Sequence, residues 1–262
     1  MTLNVGDGIL ESMRQYGDHP LADSIFATNS DGSTVERCDG LLARYTASNA
    51  IGQWEVIAEA RNAPPLVSTA LVRGIDVSSH QPRVLTDLIG KARAQHVVVH
   101  LYHDVEFAGG KPHARAQIAS VRANACSVGG YCWLFTGHSP EAQVNGSINL
   151  ADGVGVVLPV LWLDIEAYTD GSLPTASEVV AAVEACRARG IQPGIYTRRD
   201  IWAGLGNPVL YNTWLWVAAW DGNQTLDVAG FGGMRVMGHQ YANHADDVTP
   251  LDMNVFDARA TG

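Results

Sequence analysis

Most of this chain is taken up by an alternation of short β-rich runs with helix-compatible stretches, and that alternation restricts the fold more than any other feature. The runs are GIDVS from residue 74, HVVVHLY from 96, GGYCWLF from 129, LPVLWLDIE from 158, QPGIYT from 192, LWVAAW from 215, RVMGHQY from 235 and LDMNVF from 251. Each is short and rich in β-branched and aromatic residues, the composition of a strand. Between them lie amphipathic segments such as PTASEVVAAVEACRARG, where Pro174 and Thr175 suit a helix start and Gly190 a C-terminal cap. Repeated strand and helix units over about 190 residues predict a parallel, barrel-type α/β architecture.

A break falls at NAPPLVSTALVR, residues 62–73, where a Pro-Pro pair meets small residues. It divides the chain into a small N-terminal accessory segment, 1–68, and a barrel, 69–262. Upstream, residues 7–16 read as a short helix, Asn29 to Ser33 as a turn and WEVIA at 54–58 as an alternating strand. So short a piece cannot build a large core of its own. An accessory surface-contacting piece, an assembly tether and a packing cap are all compatible with it.

Hydrophobic residues make up 47% and charged residues 17%, the balance of a well-packed globular protein. A formal net charge of −10 supplies no basic field for nucleic acid, and affinity for an anionic surface would have to come from short-range contacts in a groove. Cys38, Cys126, Cys132 and Cys186 lack CxxC spacing, so neither a zinc site nor a dense disulfide framework is indicated; a Cys126–Cys132 bridge stays open. The opening MTLNVGDGILESMRQYGDH has neither the basic nor the apolar region of a secretory signal, and no apolar run is long enough to insert into a membrane.

A barrel of this kind carries its reactive residues at the C-terminal ends of its strands. In LPVLWLDIEAY the apolar run comes first and the acids last, and in GIDVSSHQ an acid again follows the opening of a strand. Alternation puts Asp164 and Glu166 on one side with Trp162, and Leu161, Leu163 and Ile165 on the other. Two strand rises separate the acids' α-carbons by roughly 6.5 to 7 Å. Like charges that near, in a confined pocket, leave one acid protonated beside a carboxylate, the pair that cleavage of a glycosidic bond needs. The bland alternative is that they cap a helix or pair with Arg198 or Arg199.

Trp133, Trp162, Trp216, Trp220, Tyr131 and Tyr196 all lie on predicted strands, and alternation lets most of them share the inward side, where rings can stack on sugars. Singly, each would be ordinary core. His80, His100, His103 and His113 show no metal-binding spacing and read as structural groups; Asp246 and Asp247 read as a solvated loop.

Taken in order, GIDVSSHQ, GGYCWLF, LPVLWLDIE, GIYT, LWVAAW, HQY and LDMNVF resemble the strands of the glycoside hydrolase family 25 muramidases, the Chalaropsis-type lysozymes common among phage endolysins, over residues 73–257. The resemblance implies an irregular, TIM-like β/α barrel that cuts the β-1,4 bond between N-acetylmuramic acid and N-acetylglucosamine in bacterial cell-wall peptidoglycan, with no metal or other cofactor. It makes Glu166 the general acid and Asp164 its partner carboxylate, with Asp76 and Asp252 completing an acid cluster. Tyr131 would lie beside the acetamido group, and Gln240 and Trp216 would line the saccharide groove. It also implies action on the extracellular wall, after release by lysis, from a virion or by another export route. HVVVHLYHDV departs from the family pattern by placing His100, Tyr102 and His103 at the end of its second strand, and Cys132 and Trp133 follow Tyr131 where a histidine is common. Two rival readings are a barrel that binds wall glycan without cutting it, in an anchoring or virion role, and a hydrolase of another amino-sugar polymer such as chitin.

Overall fold

The structure is a computed structural model, which describes residues 2–3, 27–28, 34–38, 41–46, 53–59, 70–103, 109–243 and 251–262. The helix expected at 7–16, the turn at 29–33 and Asp246 with Asp247 lie outside these residues. Two compact units are present, Met1–Ser68 and Thr69–Gly262.

In the first unit β1 (Thr2–Leu3), β2 (Ala27–Thr28), β3 (Thr34–Cys38), β4 (Leu41–Thr46) and β5 (Gln53–Glu59) form an antiparallel sheet in the order β1-β5-β4-β3-β2. WEVIA lies in β5. TVERC and LLARYT, the segments of β3 and β4, went unrecognised because charged residues interrupt them and neither presents an apolar run.

The second unit is a closed barrel. Its strands are β6 (Leu71–Val77), β7 (His96–His100), β8 (Ser127–Trp133), β9 (Val160–Asp164), β10 (Gln192–Thr197), β11 (Trp214–Ala218), β12 (Arg235–Ala242) and β13 (Asp252–Asp257). The described helices are α1 (Thr86–Ala92), α2 (Gly110–Ala123), α3 (Pro140–Asp152), α4 (Ala176–Ala188) and α5 (Arg199–Gly204).

The barrel is parallel as expected except at one strand, the irregularity of its closure: β13 runs antiparallel to both β12 and β6. Only residues 243–251 join β12 to β13, fewer than a parallel crossover requires. The reversal brings the start of β13 to the end of the barrel where the other strands finish, so that Asp252 lies opposite Asp76.

Alternation along the strands sorts the core into two layers. Ile75, Val97, Val99, Cys132, Leu161, Leu163, Ile165, Ile195, Leu215 and Val217 point outward to a shell shared with the helices. Val98, Tyr131, Val160, Trp162, Tyr196, Trp216, Met237 and Phe256 fill the interior. Fitting rings that large into a small barrel requires strand positions with no side chain. A β-carbon at Gly194 would stand 2.3 Å from the Trp162 ring, and one at Gly238 2.8 Å from Phe256.

Helix α4 begins as its sequence indicates. The Thr175 hydroxyl accepts from the Glu178 amide while the Glu178 carboxylate accepts from the Thr175 amide, a reciprocal cap. Gly190, at φ +69°, ends the helix in the left-handed region. Cys126 and Cys132 are thiols rather than a disulfide; Cys126 donates to the Ala94 carbonyl at 3.2 Å and Cys132 to that of Trp133 at 3.8 Å. Among the described residues no helix is long and apolar enough to cross a membrane.

Candidate active site

Asp164 closes β9, with Trp133 of β8 and Tyr196 of β10 as its neighbours in register. The chain beyond it is clamped on both sides. The Asp164 carbonyl accepts from the Leu134 amide at 3.1 Å, the Ile165 amide donates to the Tyr196 carbonyl at 2.9 Å, and the Thr197 hydroxyl donates to the Ile165 carbonyl at 2.7 Å. These bonds fix the exit direction of the strand and carry Glu166, half-buried, to the mouth where Asp164 lies 5% exposed. Ile165 goes outward, as the alternation requires.

Asp76 and Asp252 approach from the other wall. Asp76 Oδ2 accepts from Gln240 Nε2 at 3.0 Å and from Asn254 Nδ2 at 2.7 Å. Both amides are held in that orientation by aromatic donors. Gln240 Oε1 accepts from the Tyr196 hydroxyl at 2.9 Å and from Trp220 Nε1 at 2.6 Å, and Asn254 Oδ1 accepts from Trp216 Nε1 at 2.9 Å. An indole N–H can only donate, so each amide oxygen must face it and each NH2 must face the carboxylate.

Asp164 is in the opposite condition: its Oδ1 is buried with no hydrogen-bond partner among the described residues. Burial, then the charges of Glu166, Asp76 and Asp252, push its carboxyl well above the ordinary aspartate range. Asp76 is also pushed well up, by burial and by Asp252, against the pull of its two amide donors. Burial and Asp252 raise Glu166, which the Arg198 guanidinium opposes. Asp76, Asp164 and Glu166, in a partly dry pocket and repelled by neighbouring carboxylates, therefore hold protons to a higher pH than they would in water.

The aromatic residues divide by depth. Trp162 and Trp216 are fully buried, their rings 5.6 Å apart and both packed near Phe256. Trp162 faces the axis as expected, but with no exposed face for a sugar it forms the floor of the site. Trp216 likewise acts from below, through Asn254. Tyr131 stacks on His100 at 4.6 Å, and His100 in turn lies 4.0 Å from Tyr102, whose hydroxyl accepts from the Ser79 amide. The unusual end of the second strand therefore props Tyr131. At the rim, Trp133 lies 5.8 Å from Tyr168 and Phe135 5.1 Å from Tyr168. Trp220 is 42% exposed and Tyr168 equally so. Of the other histidines, His103 Nε2 donates to the Trp133 carbonyl and His113 Nε2 to that of Gln81, while His80 is exposed.

Asn254, Tyr168 and Phe135 were not singled out in the sequence. Asn254 carried a usable signal, since it lies two positions after Asp252 on the same face of its strand. Tyr168 and Phe135 lie beyond strand ends, where no periodicity reports their direction.

Residues 75–248 match the model of the glycosyl hydrolases family 25. The chain belongs to this family. No curated protein matches the sequence at a significant level. Among solved structures the barrel resembles a family GH25 lysozyme from Aspergillus fumigatus, at 21% identity and a TM-score of 0.59, covering 74% of this chain and 100% of that one. It resembles the catalytic domain of an endolysin from a Listeria monocytogenes bacteriophage at 16% identity and a TM-score of 0.56, covering 74% and 97%. A family 25 glycosyl hydrolase from Bacillus anthracis follows at 15% and 0.54, covering 71% and 88%. At these identities the likeness is one of fold.

Proposed function

We propose that this glycoside hydrolase is an N-acetylmuramidase that cuts the β-1,4 bond between N-acetylmuramic acid and N-acetylglucosamine in bacterial peptidoglycan. The observation that carries the reading is the buried Asp164 oxygen with no donor, beside a half-buried Glu166. A buried acceptor left empty calls for a partner, and the N–H of a substrate acetamide is such a partner. Filling that position stabilises ionised Asp164, which then holds the acetamide with its carbonyl oxygen toward the anomeric carbon.

Glu166 protonates the glycosidic oxygen as the acetamide oxygen attacks the anomeric carbon, giving an oxazolinium and releasing the leaving sugar. Water then opens the ring, with the Glu166 carboxylate taking its proton. Asp76, fixed by Gln240 and Asn254, and Asp252 stabilise the developing positive charge. Tyr131 packs beside the acetamido group, with Trp133 and Trp220 on the walls of the saccharide groove and Tyr196 and Gln240 beneath. Because burial and Asp252 raise Glu166, the donor stays protonated above the ordinary glutamate range, and activity falls as pH rises through that raised value.

The protein acts on the wall outside the cell, reached by lysis, from a virion or by another route of export. Digestion of purified peptidoglycan and of chitin, side by side, tests the proposal. New reducing ends are expected on muramic acid, with the anomer initially retained. An initially inverted product would overturn the acetamide route, and reducing ends from chitin alone would overturn the substrate.

A further inference from the structure

Beside the mouth, between the start of α5 and the chain that follows β11, runs an open groove of about 640 Å3. Small aliphatic groups such as Ala203, Ala219 and Val228 line it together with Trp220, two arginines, Arg198 and Arg199, and one acid, Asp200. Trp220 ties the groove's lining to the acid cluster, since it donates to Gln240 Oε1 and Gln240 donates to Asp76.

Two features mark the Trp220 edge as built for a ligand. Trp220 is held at φ +47°, a left-handed backbone that a bulky residue rarely adopts and that persists only where surrounding bonds impose it. Here its amide and that of Ala219 both donate to the Gln240 carbonyl. Arg198 lies with its guanidinium 5.6 Å from the centre of the Trp220 ring. The two arginines at this edge differ. Arg199 donates to the Ala229 and Gly230 carbonyls and lies 4.8 Å over Phe231, so it braces the loop. Arg198 spends Nε and Nη2 on Asp200, in an exposed pair, and its Nη1 has no partner among the described residues.

A cation with idle donors beside a trough of methyl groups suits a short acyl chain that carries small side chains and a carboxylate. In a chain of net charge −10 with four acids at its mouth, this groove holds two arginines against one acid, Asp200. We propose that the groove seats the acidic peptide attached to the muramyl sugar, with Arg198 as its carboxylate-binding group, so that the enzyme prefers peptide-bearing glycan to bare glycan strands. This deepens the muramidase reading and rests on it.

The test compares kcat/KM on soluble peptide-bearing glycan with that on the same strands stripped of peptide, for the unaltered 262-residue chain and for the variants Arg198→Gln and Ala203→Phe. Ala203 is exposed on α5, so the second variant blocks the groove with little demand on the core. The wild-type ratio is expected at about ten or more, the worth of one charge-assisted contact, and both variants should bring it toward one. A wild-type ratio near one with both glycans cut overturns the inference and leaves the muramidase standing. A high ratio unchanged in both variants overturns the assignment to this groove. Failure to cut either glycan overturns the muramidase reading, and this one with it.

Discussion

Asp164 and Asp76 carry the same functional group in the same barrel and are treated oppositely by their neighbours. Asp76 receives two amide N–H bonds, whereas Asp164 keeps one oxygen buried with no donor among the described residues. Natural active sites often retain groups that burden the fold, and Asp164 fits that pattern. With its folded pKa raised by burial and by the neighbouring acids, its contribution to stability is whole below the ordinary carboxylate pKa and is lost as pH rises through the raised value. Asp164→Asn should therefore stabilise the fold at neutral pH by roughly 0.5–2 kcal/mol, with the gain shrinking as pH approaches 4, and should abolish most turnover. Thermal unfolding across that range checks the sign; a variant less stable than the parent at pH 7 would contradict it. The inward side of Trp162, Asp164 and Glu166 was legible in the sequence because the period of a strand is fixed by its backbone. Which residues bond to Asp76 was not, because Gln240 and Asn254 come from strands whose adjacency is a product of the closed barrel.

At the scale of elements, all eight barrel strands and the capped start of α4 could be read from local pattern alone, since turn residues and β-rich runs bound each one. The direction of β13 is implicit in the shortness of the 243–251 connection, which is too brief for a parallel crossover. Glu178 shows how one element fixes another. Burial alone would raise its carboxyl, but the Thr175 and Gly137 amides and the Thr175 and Thr136 hydroxyls hold it down to about 2. It thereby joins α4 to the loop after β8 that leads from Phe135. Glu178→Ala should cost about 1 kcal/mol in urea unfolding, the typical worth of a cap. A depressed carboxylate contributes above its ordinary pKa of 4.5 and loses that contribution as pH falls through about 2. The cost should thus hold from neutral pH to about 5 and fade in stronger acid; an equal cost at pH 2 would contradict the ionic part of the account.

For the molecule as a whole, the barrel was legible because its alternation of elements is long and regular, while the antiparallel sheet of the first unit was largely missed because polar residues interrupt its strands. On the proposed function a chain of net charge −10 would meet an anionic wall without long-range attraction, so recognition would be completed at short range, at the mouth where the four acids and the exposed aromatic rims lie. The central claim is that Glu166 supplies the proton there. Its most direct test is the turnover of peptidoglycan by Glu166→Gln, measured together with glycan binding. Near-unchanged binding with turnover reduced by at least about a hundredfold is the expected result, and turnover close to that of the parent protein would contradict the account.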